Sequence, residues 1–265
     1  MSFTDHSALT STDIPYAIAA ISLYLGLESG FVCLRWQLPP AYRYNVSMIE
    51  LNLIQKIAVY SLPLLFAITV HEAAHGYAAR RLGDRTAEML GRLTLNPIKH
   101  IDPIGTLLVP ILLLMSGAGF IFGWAKPVPV SPRNFKNPGK DMAIVAAAGP
   151  ASNLVMALFW AIIMRLVVGP LSGIGAIADP LFLMAQFGVI INALLAVLNM
   201  LPIPPLDGGR VAVGLLPPKA SMTLAQVEPY GMWILVGLMV TGFLSPILWP
   251  GISLVVSLMT SLVGL

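Results

Sequence analysis

Hydrophobic residues in this chain are gathered into long blocks separated by short stretches rich in glycine, proline and basic side chains. Leu51 to about Leu82, Ile104 to Gly123, Met142 to Val168 and Leu181 to Leu201 are each long enough to cross a hydrocarbon core, which takes about 20 helical residues. From Tyr230 onward the chain is apolar again, divided by Gly242, Ser245, Pro246, Pro250 and Gly251, and reads as one spanning helix followed by a shorter one. Ile14 to Leu34 is interrupted by Gly26, Glu28 and Gly30, which leaves two readings: a first membrane helix, or an extension lying on the surface. Between the first two blocks, Leu90 to Leu95 followed by Asn96-Pro97 suits a short strand and turn whose edge could receive an extended peptide, or else a plain connecting loop. The chain thus divides into an N-terminal extension, 1–50, and a main domain, 51–265.

Composition strengthens this reading. Hydrophobic residues make up 57% of the chain and charged residues 10%, whereas soluble domains carry about 25% charged residues. The mean hydropathy is +0.83. The net charge of +3 does not point to nucleic acid, because the basic residues lie in short segments between apolar blocks and no nucleic-acid-binding motif is present. A single cysteine, Cys33, excludes an internal disulfide and a cysteine-rich metal site. No secretory signal, internal repeat or low-complexity tract is apparent.

Candidate chemistry concentrates in the first main block, at His71-Glu72-Ala73-Ala74-His75. Residues four apart share a helix face, so both imidazoles can reach one metal ion with Glu72 beside it. A catalytic zinc takes three protein ligands and leaves one position for water, whose proton Glu72 can accept. Of the carboxylates that follow Glu72, Asp207 is the best third ligand. It follows Pro202, Pro204 and Pro205, which must end the preceding helix, and Gly208 and Gly209 behind it permit close approach.

This choice constrains the path of the chain. If Ile104–Gly123 crossed the membrane fully, Asp207 would lie a membrane thickness from the histidines, while a zinc–oxygen bond is about 2 Å. The segment is therefore expected to enter and leave on one side, in keeping with its break at Ser116–Gly119 and its two basic flanks. Eleven of the fifteen lysines and arginines then fall on one side, the cytoplasmic one, close to the metal. The expected fold is an all-α polytopic membrane protein: a core of three spanning helices around a zinc site, a re-entrant segment and a small membrane-associated β element.

The sequence His71-Glu72-Ala73-Ala74-His75, with Ala148-Gly149-Pro150 and the run Asn199-Met200-Leu201-Pro202-Ile203-Pro204-Pro205-Leu206-Asp207-Gly208-Gly209-Arg210, resembles the site-2 protease family of intramembrane metalloproteases. The resemblance spans about Glu50 to Tyr230. It implies one Zn2+ ion on His71, His75 and Asp207, with Glu72 as catalytic base and Asn199 and Asn153 near the substrate. It further implies hydrolysis of a peptide bond within or near a transmembrane helix of another membrane protein, in the cell membrane of a prokaryote. No inserted PDZ-type domain is present. Two other readings compete. A metal transporter would need polar residues along a path to both sides, and a different membrane zincin would use glutamate as its third ligand.

Overall fold

The computed structural model describes residues 52–116 and 123–265, and within these the apolar blocks become helices. Helix α1 (Leu53–Arg81) opens on a reciprocal cap: Asn52 Oδ1 accepts the Gln55 N–H at 2.9 Å and Gln55 Oε1 accepts the Asn52 N–H at 3.0 Å. It closes on Arg80 and Arg81, whose charge suits a helix C-terminus. Gly83 then turns the chain with φ of +111°, a conformation strained for any residue with a Cβ. A single turn, α2 (Thr86–Met89), and a short α3 (Val109–Ser116) precede the long α4 (Pro138–Val168) and α5 (Ala178–Asn199). After α5 come α6 (Asp207–Leu215), α7 (Pro218–Ala225), α8 (Glu228–Val240) and α9 (Leu244–Leu262).

Helices α1, α4 and α5 pack on one another around a seam of small residues. Ala67, Ala157, Ala161, Ala185 and Ala193 have no exposed surface, so the backbones approach closely where water-driven burial is weak. Gly188 makes room for the Trp160 indole, which a Cβ there would meet at 2.3 Å. Helix α9 lays Leu248, Ile252 and Val256 against this core, while Phe66, Ile144, Val155 and Leu254 point outward, as lipid-facing residues do.

Among the described residues, four helices are long and apolar enough to cross a membrane: 54–81, 138–168, 175–199 and 244–262. The pair α7 and α8, bent by 61°, makes a fifth if it counts as one broken span. The protein is a multi-pass helical membrane protein in which the three-helix core has at least one further long helix beside it. Its C-terminal order reverses the expectation. The 13-residue α8 comes first and the 19-residue α9 second. The break falls early, at Gly242 with φ of +75°, and Pro246 lies in the first turn of α9, where its missing N–H leaves no helical acceptor unused. The extra helix considered for residues 14–34 lies outside the described residues.

The described ends of the segment 104–123 lie against each other. One turn at Pro103–Leu108 leads into α3, and the returning Trp124 donates its N–H to the Gly105 carbonyl at 3.1 Å. Thr106 Oγ1 donates to the Trp124 carbonyl at 2.8 Å, and the Trp124 indole fills the space beside Gly105, where a Cβ would meet it at 2.3 Å. Departure and return share one neck, so the chain leaves and re-enters at the same end of the bundle.

The expected strand at Leu90–Leu95 is not formed, and there is no strand among the described residues. The segment beside it, 124–131, is irregular and extended, but Pro127 and Pro129 lack the N–H groups that a ladder requires. The N–H groups between and beyond them are already used. Val128 donates to Glu72 at 2.8 Å and Ser131 to Asp84 at 2.7 Å.

Asp84 holds the start of this region to the end of α1. It is 1% exposed and accepts the N–H and Oγ1–H of Thr86, the Ser131 N–H and the Asn134 Nδ2–H. Burial pushes its carboxyl up, but these donors outweigh burial and hold it below the ordinary carboxylate range. A depressed pKa contributes stability above the unfolded-state value of about 3.9, lost as pH falls through the folded-state value. Asp84→Ala is expected to cost about 3 kcal/mol at pH 7, since it strands several buried donors. The gap from wild type in thermal unfolding should narrow below about pH 4, measured in detergent across a pH series.

Candidate metal centre

His71 and His75 occupy successive turns of α1 and face α4. Their ring orientations are fixed from that helix: Asn153 Oδ1 lies 2.6 Å from His71 Nδ1 and the Val145 carbonyl 2.7 Å from His75 Nδ1. A carbonyl only accepts, so His75 carries its proton on Nδ1. Asn153 uses its amide nitrogen on the Ala67 carbonyl at 3.2 Å and on Asn192 Oδ1 at 3.0 Å, which turns its oxygen to His71 and puts that proton on Nδ1 too. Both Nε2 atoms therefore present lone pairs. They lie 3.0 Å apart.

Asp207 joins them from the far side of the sequence. Pro202 to Pro205 end α5 and turn the chain, and α6 begins at Asp207 itself. The turn folds tightly because its glycines allow it. A Cβ on Gly208 would stand 2.4 Å from the Met200 carbonyl, and one on Gly209 would stand 2.3 Å from the Pro204 nitrogen. Helix α8 rests on the same turn through Gly231, where a Cβ would overlap the Pro204 carbonyl oxygen at 1.5 Å.

Asp207 Oδ2 comes within 3.1 Å of His71 Nε2 and 3.3 Å of His75 Nε2. It is buried and has no hydrogen-bond partner among the described residues. With both imidazoles neutral, three electron-rich atoms thus face one another, 7–9% exposed as residues. Such a set is repulsive unless a cation lies among its members. The edges of 3.0–3.3 Å match a tetrahedral zinc with bonds of about 2.0–2.1 Å, and two imidazoles with one carboxylate are a donor set suited to catalytic zinc. Among the described residues this is the one group of three or more histidine, cysteine or carboxylate side chains with such convergence.

Helix α4 crosses directly over the imidazoles. A Cβ on Gly149 would stand 2.5 Å from His75 Nε2 and 2.7 Å from His71 Cε1, so the small residue beside Pro150 is a requirement of the approach.

Glu72 is half-buried on the neighbouring face of α1. Its Oε2 accepts the Val128 N–H, and its Oε1 accepts no hydrogen bond among the described residues. Asn199, at the C-terminal end of α5, is half-buried and donates to the Leu195 carbonyl at 3.0 Å, with no hydrogen bond to its amide oxygen among the described residues. Asn153 sits differently from the expectation that it meets substrate: it has no exposed surface, and its amide is consumed by His71, Ala67 and Asn192. Asn192 itself, with Nδ2 on the Gly188 carbonyl at 2.8 Å, was missed from sequence, although a polar side chain inside an apolar span signals a partner. The Val145 carbonyl and the Val128 N–H left no sequence signal, being backbone groups.

The family model of peptidase family M50 matches residues 166–241. The chain is 41% identical over 189 residues to a Bacillus subtilis protein named "Putative zinc metalloprotease YwhC", covering 71% of this chain and 82% of that protein. A Mycolicibacterium smegmatis protein of the same description, Rip2, is 33% identical over 182 residues, 67% of this chain and 64% of its own length. A third relative so described, MJ0611 of Methanocaldococcus jannaschii, is 33% identical over 140 residues, 53% of this chain and 60% of that protein. No solved structure gives a significant match. With two thirds or more of its length aligned to the first two of these relatives, this chain belongs to peptidase family M50, the site-2 proteases.

Proposed function

We propose that this protein is an intramembrane zinc endopeptidase that cleaves a transmembrane segment of another membrane protein. The observation that carries the reading is the convergence of His71 Nε2, His75 Nε2 and Asp207 Oδ2 within 3.3 Å, all as acceptors. His71, His75 and Asp207 would hold one Zn2+ there, which when bound would supply Lewis-acid chemistry, polarising a carbonyl and acidifying water. Glu72 receives the proton of the attacking water on its unbonded Oε1 and delivers it to the leaving amine. The Val128 N–H steadies the other oxygen of Glu72. Asn199, near Asp207 in the chain and partly exposed, offers its amide to the backbone of an unwound substrate. Asn153 acts on His71, not on substrate.

Substrate unwinding is required because a helical amide is shielded and its carbonyl already bonded. The metal ligands lie at the end of α1 that leads into Arg80, Arg81, Arg85 and Arg92, the basic loops that mark the cytoplasmic side. Water for hydrolysis would enter from that face. A transporter is disfavoured by the core beyond His71: Val59, Trp160, Met164 and Phe182 fill it, with apolar side chains where an ion path would run. A zincin with glutamate as third ligand is disfavoured by the position of Asp207.

Glu72→Gln is expected to lower cleavage of a membrane-embedded substrate by about 10²–10⁴-fold with zinc content unchanged, measured on pure protein in vesicles. Undiminished hydrolysis would remove Glu72 from its role. Asp207→Ala should lose zinc in metal analysis after dialysis, and zinc retention would favour the glutamate-liganded alternative. Gly149→Ala should weaken zinc binding by more than about tenfold in a chelator competition, because the new methyl displaces both imidazoles.

A further inference from the structure

The returning segment does more than connect helices. Residues 126–131 run across the face of α1 that carries Glu72, and hydrogen bonds at both ends with side-chain packing between them hold them there. At one end, the loop after α2 grips Lys126 from both sides: its N–H donates to the His100 carbonyl at 2.9 Å, and its carbonyl accepts Arg92 Nη2–H at 3.0 Å. The same Nη2 reaches the Pro127 carbonyl at 3.3 Å. At the other end Asp84 takes the Ser131 N–H. Between them, Gly76, one turn after Glu72, leaves the gap into which Val128 and Leu93 pack, their side chains 3.1 and 2.8 Å from where a Cβ would stand.

From this placement we infer that Arg92 is a positioning residue for Glu72, acting through the backbone of Lys126 and Pro127 to hold the Val128 N–H against Glu72 Oε2. The inference rests on the assignment of Glu72 as the base. Its physical content is a single shared geometry. The guanidinium fixes two successive carbonyls, and they fix the plane of the peptide group that follows Pro127. That peptide N–H is the donor that Glu72 receives at 2.8 Å. With Oε2 tied in this way, Oε1 is left as the oxygen free to take a proton. Without Arg92 the two prolines, which have no N–H of their own, leave this stretch few other anchors. Glu72 would then sample rotamers in which neither oxygen faces the substrate. Arginine suits the task because the two N–H bonds of Nη2 are held in the guanidinium plane, one toward each carbonyl, while the ammonium of a lysine has no such fixed direction.

Hydrogen exchange reads the contact directly, since Val128 carries the one exchangeable backbone hydrogen between Pro127 and Pro129. In the full chain in detergent, Arg92→Ala is expected to speed Val128 amide exchange at least tenfold, as should Glu72→Ala, with Arg92→Lys falling between wild type and Arg92→Ala. In vesicles containing a designed single-span polypeptide with glycines at mid-span, Arg92→Ala should lower kcat about tenfold or more, with KM and zinc content held and partial recovery in Arg92→Lys. Unaltered Val128 exchange in Arg92→Ala overturns the inference, as does a loss of activity that follows folded fraction alone or raises KM at constant kcat. If wild type hydrolyses no peptide bond, the protease assignment fails, and Arg92 loses its catalytic meaning even where the exchange result stands.

Discussion

Three lone pairs forced into one small buried space govern this molecule. The two imidazoles are turned by donors' obligations behind them: each Nδ1 proton is owed to an acceptor on α4, which leaves each Nε2 to face its neighbour and the aspartate. Bringing such atoms to 3.0–3.3 Å is unfavourable for the protein alone and becomes favourable with a cation among them. Much of the surrounding architecture can be understood as what that arrangement demands: small residues where α4 meets α1, and glycines where the chain doubles back after α5.

The support behind the ligands is as specific as the ligands. An Asn153–Asn192 chain joins α4 to α5, so the orientation of His71 is set by two helices at once. In a low-dielectric setting such a fully satisfied amide pair fixes which atom faces which, and an unsatisfied one would be costly. Glu72 is governed by the loops and not by the helices. The side chain proposed to exchange protons, Glu72, is tied to the irregular backbone, while His71 and His75 are tied to the core.

Much of this was legible in the sequence, for reasons particular to certain residues. Histidines four apart on an apolar helix announce a common target, and the proline run before Asp207 announces a helix end at depth. The requirement that these meet was enough to infer that Ile104–Gly123 doubles back, and the Trp124–Gly105 contact agrees with it. Other features were out of reach. Leu90–Leu95 suits a short strand or a plain loop by sequence, but a strand needs a partner with free donors, and the neighbouring segment spends its donors on Glu72 and Asp84. Pro246 and Pro250 looked like breaks, yet α9 accommodates both. Asn153 was placed near the site by resemblance, but only coordinates reveal that it looks inward at His71.

The seat of Gly231 on the Pro204 carbonyl carries a lesson about where the catalytic unit stops. The final stretch of the chain offers no ligand, yet one of its helices is the floor on which the aspartate-bearing bend rests. A minimal enzyme cut just past the last motif would keep every ligand and lose the ground beneath one of them, so the smallest competent unit extends at least through α8.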